Sequence, residues 1–276
     1  MKWLLGLALV GLLAANRPSP VEAASGDFKR VGHTARVTYY AAKGQRVDIR
    51  RTEAFLERLT SLFGPPPEGW RLDYYRHTSM GTLREHGGLG AIGLTGVIGV
   101  TDIAASRIDS LRKFHPHELV HAAAAPLGRP PVFFAEGLAV ALTAGGKWEG
   151  RDIDVVAREE LRRRPSLEPL LDAFTEQDPA TAYAIAGSFT TYLLDRYGIE
   201  AMVAFLRGCG TSPAGFERAF QAAYGRTVAG LTIEWQQALR DGRPKAAASW
   251  QDPEGWPLTL QREQAVTTAV GGASTD

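Results

Sequence analysis

The spacing of apolar residues divides the chain at about residue 108. Before that point, short alternating stretches flank one amphipathic stretch. Beyond it, the apolar patterns have a helical period. Residues 34–40, Thr-Ala-Arg-Val-Thr-Tyr-Tyr, are β-branched and aromatic with partial alternation, which predicts a strand. From about 47 to 63 the period changes, and Ala54, Phe55, Leu59, Leu62 and Phe63 fall on one helical face. Gly64-Pro65-Pro66-Pro67 stops that helix. Residues 70–76 read as a second strand. The glycine-rich stretch from Gly87 to Gly99 contains Ala91-Ile92-Gly93-Leu94 and Val97-Ile98-Gly99-Val100, which read as two short strands or a hairpin. The first lobe is therefore expected to be a small sheet with a helix against it.

Beyond Ile108 helices are predicted near 116–125, 131–143, 153–163, 167–174, 180–197, 200–207, 214–224 and 228–241. Gly128, Gly145-Gly146, Pro165, Gly198, Pro213 and Gly225 separate them. Gly198 directly after Tyr197 is a helix C-cap signal. No internal repeat is visible, and no linker separates the lobes. The expected class is α+β, with a small N-terminal sheet lobe carrying a helix, followed by a mostly α-helical lobe.

The ends read differently from the middle. Met1-Lys2 is a positive start, and Trp3 to Ala15 is an apolar run of about a dozen residues, too short to span a bilayer comfortably. Val21-Glu22-Ala23-Ala24 then suits cleavage after Ala23 or Ala24. Residues 1–24 are thus expected to be a signal peptide, with an earlier cut near Ala15 and an uncleaved membrane anchor as alternatives. The expected destination is the periplasm or the medium, with no stable membrane insertion once the leader is gone. Residues 27–241 would form the domain, and the Ala-, Gly-, Pro-, Ser- and Thr-rich stretch 242–276 a loosely ordered tail.

Composition narrows the function classes. With 276 residues, 45% apolar and 22% charged, the chain can build a real core. A formal net charge of +1 gives no electrostatic footprint for nucleic acid, and Arg162-Arg163-Arg164 after Glu159-Glu160 reads as a solvated helix face. Cys209 is the single cysteine, so no internal disulfide is expected, and it reads as a small residue at a helix end.

The candidate chemistry lies in His117-Glu118-Leu119-Val120-His121. Residues four apart on a helix share a face, so both imidazoles can reach one metal ion. Glu118 is rotated by about 100° from His117, beside the metal, where its carboxylate can accept a proton from water. Pro116 suits the first turn of that helix. Leu127-Gly128-Arg129-Pro130-Pro131 then makes a turn. The following helix, Val132-Phe133-Phe134-Ala135-Glu136-Gly137-Leu138-Ala139-Val140-Ala141-Leu142, holds Glu136 as its one charged residue. An acid amid such a run is costly to bury unless it is paired or metal-bound. Two histidines and a carboxylate form a catalytic zinc set that leaves a fourth position for water.

His117-Glu118-x-x-His121, followed by Phe134-Ala135-Glu136-Gly137-Leu138-Ala139, resembles the gluzincin metallopeptidases, and among them the "peptidase MA-like" domain of bacterial proteins. The likeness continues through Ala182-Tyr183-Ala184-Ile185-Ala186-Gly187-Ser188-Phe189 and Tyr192-Leu193-Leu194 to Glu234-Trp235, about half the chain. It implies a zincin-like fold and one zinc ion on His117, His121 and Glu136. It also implies Glu118 as general base and Tyr183 as donor to a developing oxyanion, with Tyr183 as an ordinary core aromatic the competing reading. The implied partner is a peptide or protein substrate, and an edge strand near 97–100 could line the cleft. The Gly-x-Met-Glu-Asn segment of the clan's aminopeptidases and the Asn-Glu-x-x-Ser-Asp pattern of thermolysin are absent, so no aminopeptidase activity is implied. Two other readings stay open: a non-catalytic zinc-containing binding module of the cell envelope, and a zinc amidase acting on cell-wall peptides. His115 lies off the ligand face and reads as exposed or as supporting the site from outside. His33, His77 and His86 read as surface or loop histidines.

Overall fold

The computed structural model describes residues 28–87, 98–164 and 166–242. The expected leader, the tail from 243 onward and the strand expected at 91–94 lie outside these. Mixed α and β structure is present, with a small N-terminal sheet followed by helices. The chain forms two compact units, one made of 28–50 with 70–115 and the other of 51–69 with 116–242.

The first unit is a five-stranded sheet of β1 (Phe28–His33), β2 (Val37–Ala42), β3 (Leu72–Arg76), β4 (Gly99–Asp102) and β5 (Arg107–Ser110). Its order is β1-β2-β3-β5-β4, with the three central strands parallel and both edge strands antiparallel. Val37, Tyr39 and Ala41 alternate on the buried face of β2, and Leu72, Tyr74 and Ile108 lie in register beside them. On the opposite face Tyr40 stacks on Tyr75, ring centroids 4.5 Å apart, and Phe28 meets Tyr75 edge-on. The chain from β2 to β3 passes through α1 (Ile49–Phe63), and from β3 to β4 through α2 (Met80–His86), which Ser79 and Thr82 start with a capping box.

Three expectations need correcting here, and one of the two readings of His115 falls. The helix expected against the sheet, α1, belongs from Arg51 onward to the other unit. There it buries Phe55, Leu56, Leu59 and Phe63, and the Phe63 carbonyl accepts from Arg207. The chain is not yet helical at Ile108: β5 pairs between β3 and β4, and parallel pairing by β3 overrides the poor strand preference of Asp109 and Ser110. His77 is no surface residue. It is fully buried, and its Nε2 lies 2.8 Å from Asp109 Oδ1, while Arg107 Nε lies 2.7 Å from Asp109 Oδ2. His115 is not exposed either: it is buried, with Nδ1 3.0 Å from Ser110 Oγ.

The second unit is helical: α3 (Pro116–Ala124), α4 (Val132–Thr143), α5 (Ile153–Arg163), α6 (Glu168–Asp172), α7 (Pro179–Cys209), α8 (Phe216–Tyr224) and α9 (Val228–Arg240). Short 3₁₀ turns lie at Ala125–Leu127, Phe174–Glu176 and Pro213–Gly215, and a two-stranded hairpin, β6 (Lys147–Trp148) with β7 (Arg151–Asp152), joins α4 to α5. The stretch α7 is two helices meeting at Gly198, whose φ of 80° and ψ of 174° match the break expected there. At the centre, α4 crosses the first half of α7. Apolar almost all round, α4 is buried accordingly, with Phe133, Phe134, Leu138, Ala139 and Val140 no more than 1% exposed. Phe189, Phe205, Phe220 and Trp235 complete the core, with Phe134 packed edge-on to Phe205 at 4.9 Å. Among the described residues no helix is long and apolar enough to cross a membrane.

Candidate metal centre

Pro116 opens α3, and Leu119, Val120 and Ala122 bury one side of it. His117 and His121, one turn apart, take the other side and are half-buried, with their rings 4.8 Å apart. The chain then turns back through Ala125–Leu127, where the Arg129 N–H donates to the Gly210 carbonyl at 2.7 Å. Pro131 precedes the first residue of α4. The following helix brings Glu136 to the two imidazoles.

Three ligand atoms converge. His117 Nε2 lies 3.0 Å from Glu136 Oε2, His121 Nε2 lies 3.3 Å from the same oxygen, and the two Nε2 atoms are 3.2 Å apart. Ligands about 2.1 Å from a common tetrahedral centre stand about 3.4 Å from one another. The triad is therefore close to the size a small divalent cation requires, and its donors are borderline nitrogen and hard oxygen, the set zinc accepts. Among the described residues no other three His, Cys, Asp or Glu residues bring their ligand atoms within 4.8 Å of one another.

Without a cation the cluster is a carboxylate held by imidazoles. Burial alone would raise the Glu136 carboxyl, but the charge of His121 and hydrogen bonds from both histidines hold it well below the usual carboxylate range. Burial works against a charged His121, but Glu136, with a smaller contribution from Glu118, pushes its ring up to about 9. Glu118 is buried, 7% exposed, and close enough for its charge to act on both His121 and Tyr183.

Tyr183, from the first half of α7, joins the same cluster. It lies close enough for the Glu136 charge to act on its phenol, and its ring centroid lies 6.2 Å from that of His117. Burial, followed by the Glu136 and Glu118 charges, raises its phenol above the ordinary value, so it is held as a neutral donor. All five residues singled out from the sequence, His117, Glu118, His121, Glu136 and Tyr183, therefore belong to one neighbourhood. Cys209 is buried at the end of α7.

Trp148, in the β6–β7 hairpin, is a neighbour that sequence reasoning missed. Its indole stacks on Tyr183 with centroids 4.8 Å apart and planes 10° from parallel, and lies 5.9 Å from the His117 ring. The available signal was a tryptophan between Gly145-Gly146 and Gly150. The turn residues Glu149 (φ 49°) and Gly150 (φ 80°) both lie in the left-handed region, as a two-residue hairpin loop of this hand demands. Glu-Gly is a weaker cue for that turn than Asn-Gly or Asp-Gly. No protein-family model and no curated protein matches the chain.

Proposed function

We propose that this chain is an exported zinc-dependent peptidase of zincin-like fold, with the metal on His117, His121 and Glu136. One observation carries the reading: two imidazole nitrogens and one carboxylate oxygen meet within 3.0–3.3 Å, with a second buried carboxylate, Glu118, adjacent in the same helix. The resemblance of His117–His121 and Glu136-Gly137 to the gluzincin pattern adds to it, and the buried cost of Glu136 in an apolar helix gives the physical motive.

Zinc, when bound, supplies a Lewis acid that polarises a carbonyl and makes water acidic near neutral pH. The chain's own residues do the rest. Glu118 takes a proton from the attacking water onto its carboxylate and passes it to the leaving amine nitrogen. Burial of Glu118 keeps bulk water from competing for that proton. Tyr183, neutral and donating, is the group on hand for the oxyanion that develops at the scissile carbonyl. Glu136 stays ionised beside the imidazoles, as a metal ligand must.

The test is zinc content of the purified mature protein and of its Glu118→Gln variant, with hydrolysis of unfolded casein by both. One zinc per chain in each, with activity only in the parent, supports the peptidase and the role of Glu118. Zinc in both with activity in neither turns the reading toward a binding module or an amidase acting on cell-wall peptides. A parent that retains no metal after loading and dialysis overturns the proposal.

A further inference from the structure

Trp148 keeps its one polar side-chain atom where a surface tryptophan ordinarily would not. The residue is half-buried, yet its indole N–H is buried and has no hydrogen-bond partner among the described residues. A tryptophan with one end in water usually turns its N–H outward and its carbons in, because an unmade hydrogen bond costs stability. Here the nitrogen is in the covered part, so whatever of this side chain reaches the surface is carbon.

The ring is held on a stiff support. At one end of the β6–β7 hairpin the Ile153 N–H donates to the Gly146 carbonyl at 3.1 Å. The Asp152 side chain accepts from the backbone of Asp154 and Val155 at 2.9 and 3.2 Å, capping α5. At the turn Glu149 keeps a left-handed φ of 49°, a conformation that a residue with a Cβ adopts only when its surroundings impose it. The indole lies flat on Tyr183, itself half-buried, with centroids 4.8 Å apart and planes 10° from parallel. Both rings pack on Val140, Ile153, Val156 and Ala184, and Phe174 closes on Tyr183 at 5.3 Å. The same two rings flank His117, whose ring centroid lies 5.9 Å from Trp148 and 6.2 Å from Tyr183. A fixed aromatic surface, not fully covered by the chain, thus begins one ring away from a candidate metal ligand. A peptide whose scissile bond is brought to that ligand carries its flanking side chains into the same neighbourhood.

We infer that Trp148 and Tyr183 form the wall of a substrate subsite for an aromatic or large aliphatic side chain beside the scissile bond, with Trp148 as its specificity-determining residue. The inference rests on the peptidase reading above. A carbon surface offers a charged side chain nothing in exchange for its lost water. An apolar side chain gains by leaving water, and a ring adds stacking on the indole. Apolar pockets discriminate about 10–200-fold for a single methylene, so a partly open wall should favour phenylalanine over alanine by about 10–100-fold in kcat/KM.

Two readouts on the purified mature protein test it. One is a mass-spectrometric map of the cuts made in unfolded casein. The other is calorimetric binding of blocked alanine hexapeptides, carrying one Phe or one Glu, to the Glu118→Gln protein. The parent's cuts should cluster beside Phe, Tyr and Leu, and the Phe peptide should bind about 10-fold more tightly than the Glu peptide. Trp148→Ala should level both preferences, and Trp148→Phe should restore them. Trp148→Arg, whose long side chain can carry its charge to the surface, should turn the binding preference toward Glu. A parent that cuts without regard to the flanking residues overturns the inference alone. So does a Trp148→Ala or Trp148→Arg protein that keeps the parent's preference. A parent that hydrolyses nothing overturns the peptidase reading. The calorimetric preference then decides the subsite by itself, and equal or absent binding of the two peptides overturns it.

Discussion

Gly137 of α4 lies against the backbone of Ala186 in α7: a Cβ on Gly137 would fall 2.6 Å from the Ala186 carbonyl oxygen. The two helices can approach this closely only because one of them lacks a side chain there. The neighbour before Gly137 is Glu136, and about one turn before Ala186 is Tyr183, so the same close crossing brings Glu136 and Tyr183 near each other.

Gly137→Ala should therefore destabilise the protein. Alanine normally gains about 0.5–1 kcal/mol over glycine inside a helix. Here overpacking against backbone, which cannot swing aside, costs about 1–3 kcal/mol and wins. Urea unfolding of the metal-free protein measures it, and a midpoint at or above the parent's would contradict the crossing as described.

The metal-free protein should have an acid-side stability maximum. His121 is raised from 6.5 to about 9, so its contribution is full below about 6.5 and is lost as pH rises through about 9. Glu136 is lowered from 4.5, so its contribution is present above about 4.5 and is lost on acidification. In chelator, Tm should fall between pH 6.5 and 9.5, and Glu136→Gln should flatten that fall. Metal affinity should run the other way and rise over the same range, because binding displaces the proton from His121.

Ser188 ties three helices of the second unit. Its hydroxyl donates to Asp154 Oδ1 at 2.5 Å and accepts from the Trp235 indole N–H at 3.2 Å, and all three residues are buried. Ser188→Ala removes a donor from a buried carboxylate and an acceptor from a buried N–H, and should cost about 1–3 kcal/mol. Metal affinity should not change. Chemical denaturation beside a cobalt titration separates the two effects.

Cys209 should be chemically silent in the folded protein. The residue is 5% exposed, and burial pushes its thiol up to about 11, so at pH 8 neither access nor thiolate is available. A thiol reagent such as DTNB should react at the rate of unfolding and no faster. Rapid stoichiometric reaction with native protein would refute the placement.

Several elements were legible because their cause is local. The helix expected at 153–163 is Ile153–Arg163, and the break at Gly198 lies where glycine followed the apolar period. The strands β1 and β5 and the β6–β7 hairpin were not legible. β1 is mostly exposed and carries no clean alternation of buried and exposed residues, and β5, only four residues long, exists because β3 and β4 pair with it on either side. Lys147, Trp148, Arg151 and Asp152 carry no alternation to distinguish two-residue strands from a loop. His77 was misjudged for a similar reason: a histidine after a strand reads as a loop residue until Asp109, from a strand it pairs across, turns out to be its partner.

The sequence by itself determined the i, i+4 pair of His117 and His121, because helical pitch alone sets that spacing, and it marked Glu136 as an acid in want of a partner. Tertiary structure decided what that partner would be. Glu136 comes to the imidazoles across an αα turn, Tyr183 comes near it only through the Gly137–Ala186 crossing, and Trp148 arrives on a hairpin whose Glu-Gly turn is a weak signal. Local spacing obeys the geometry of one element, while the meeting of four depends on which faces pack together.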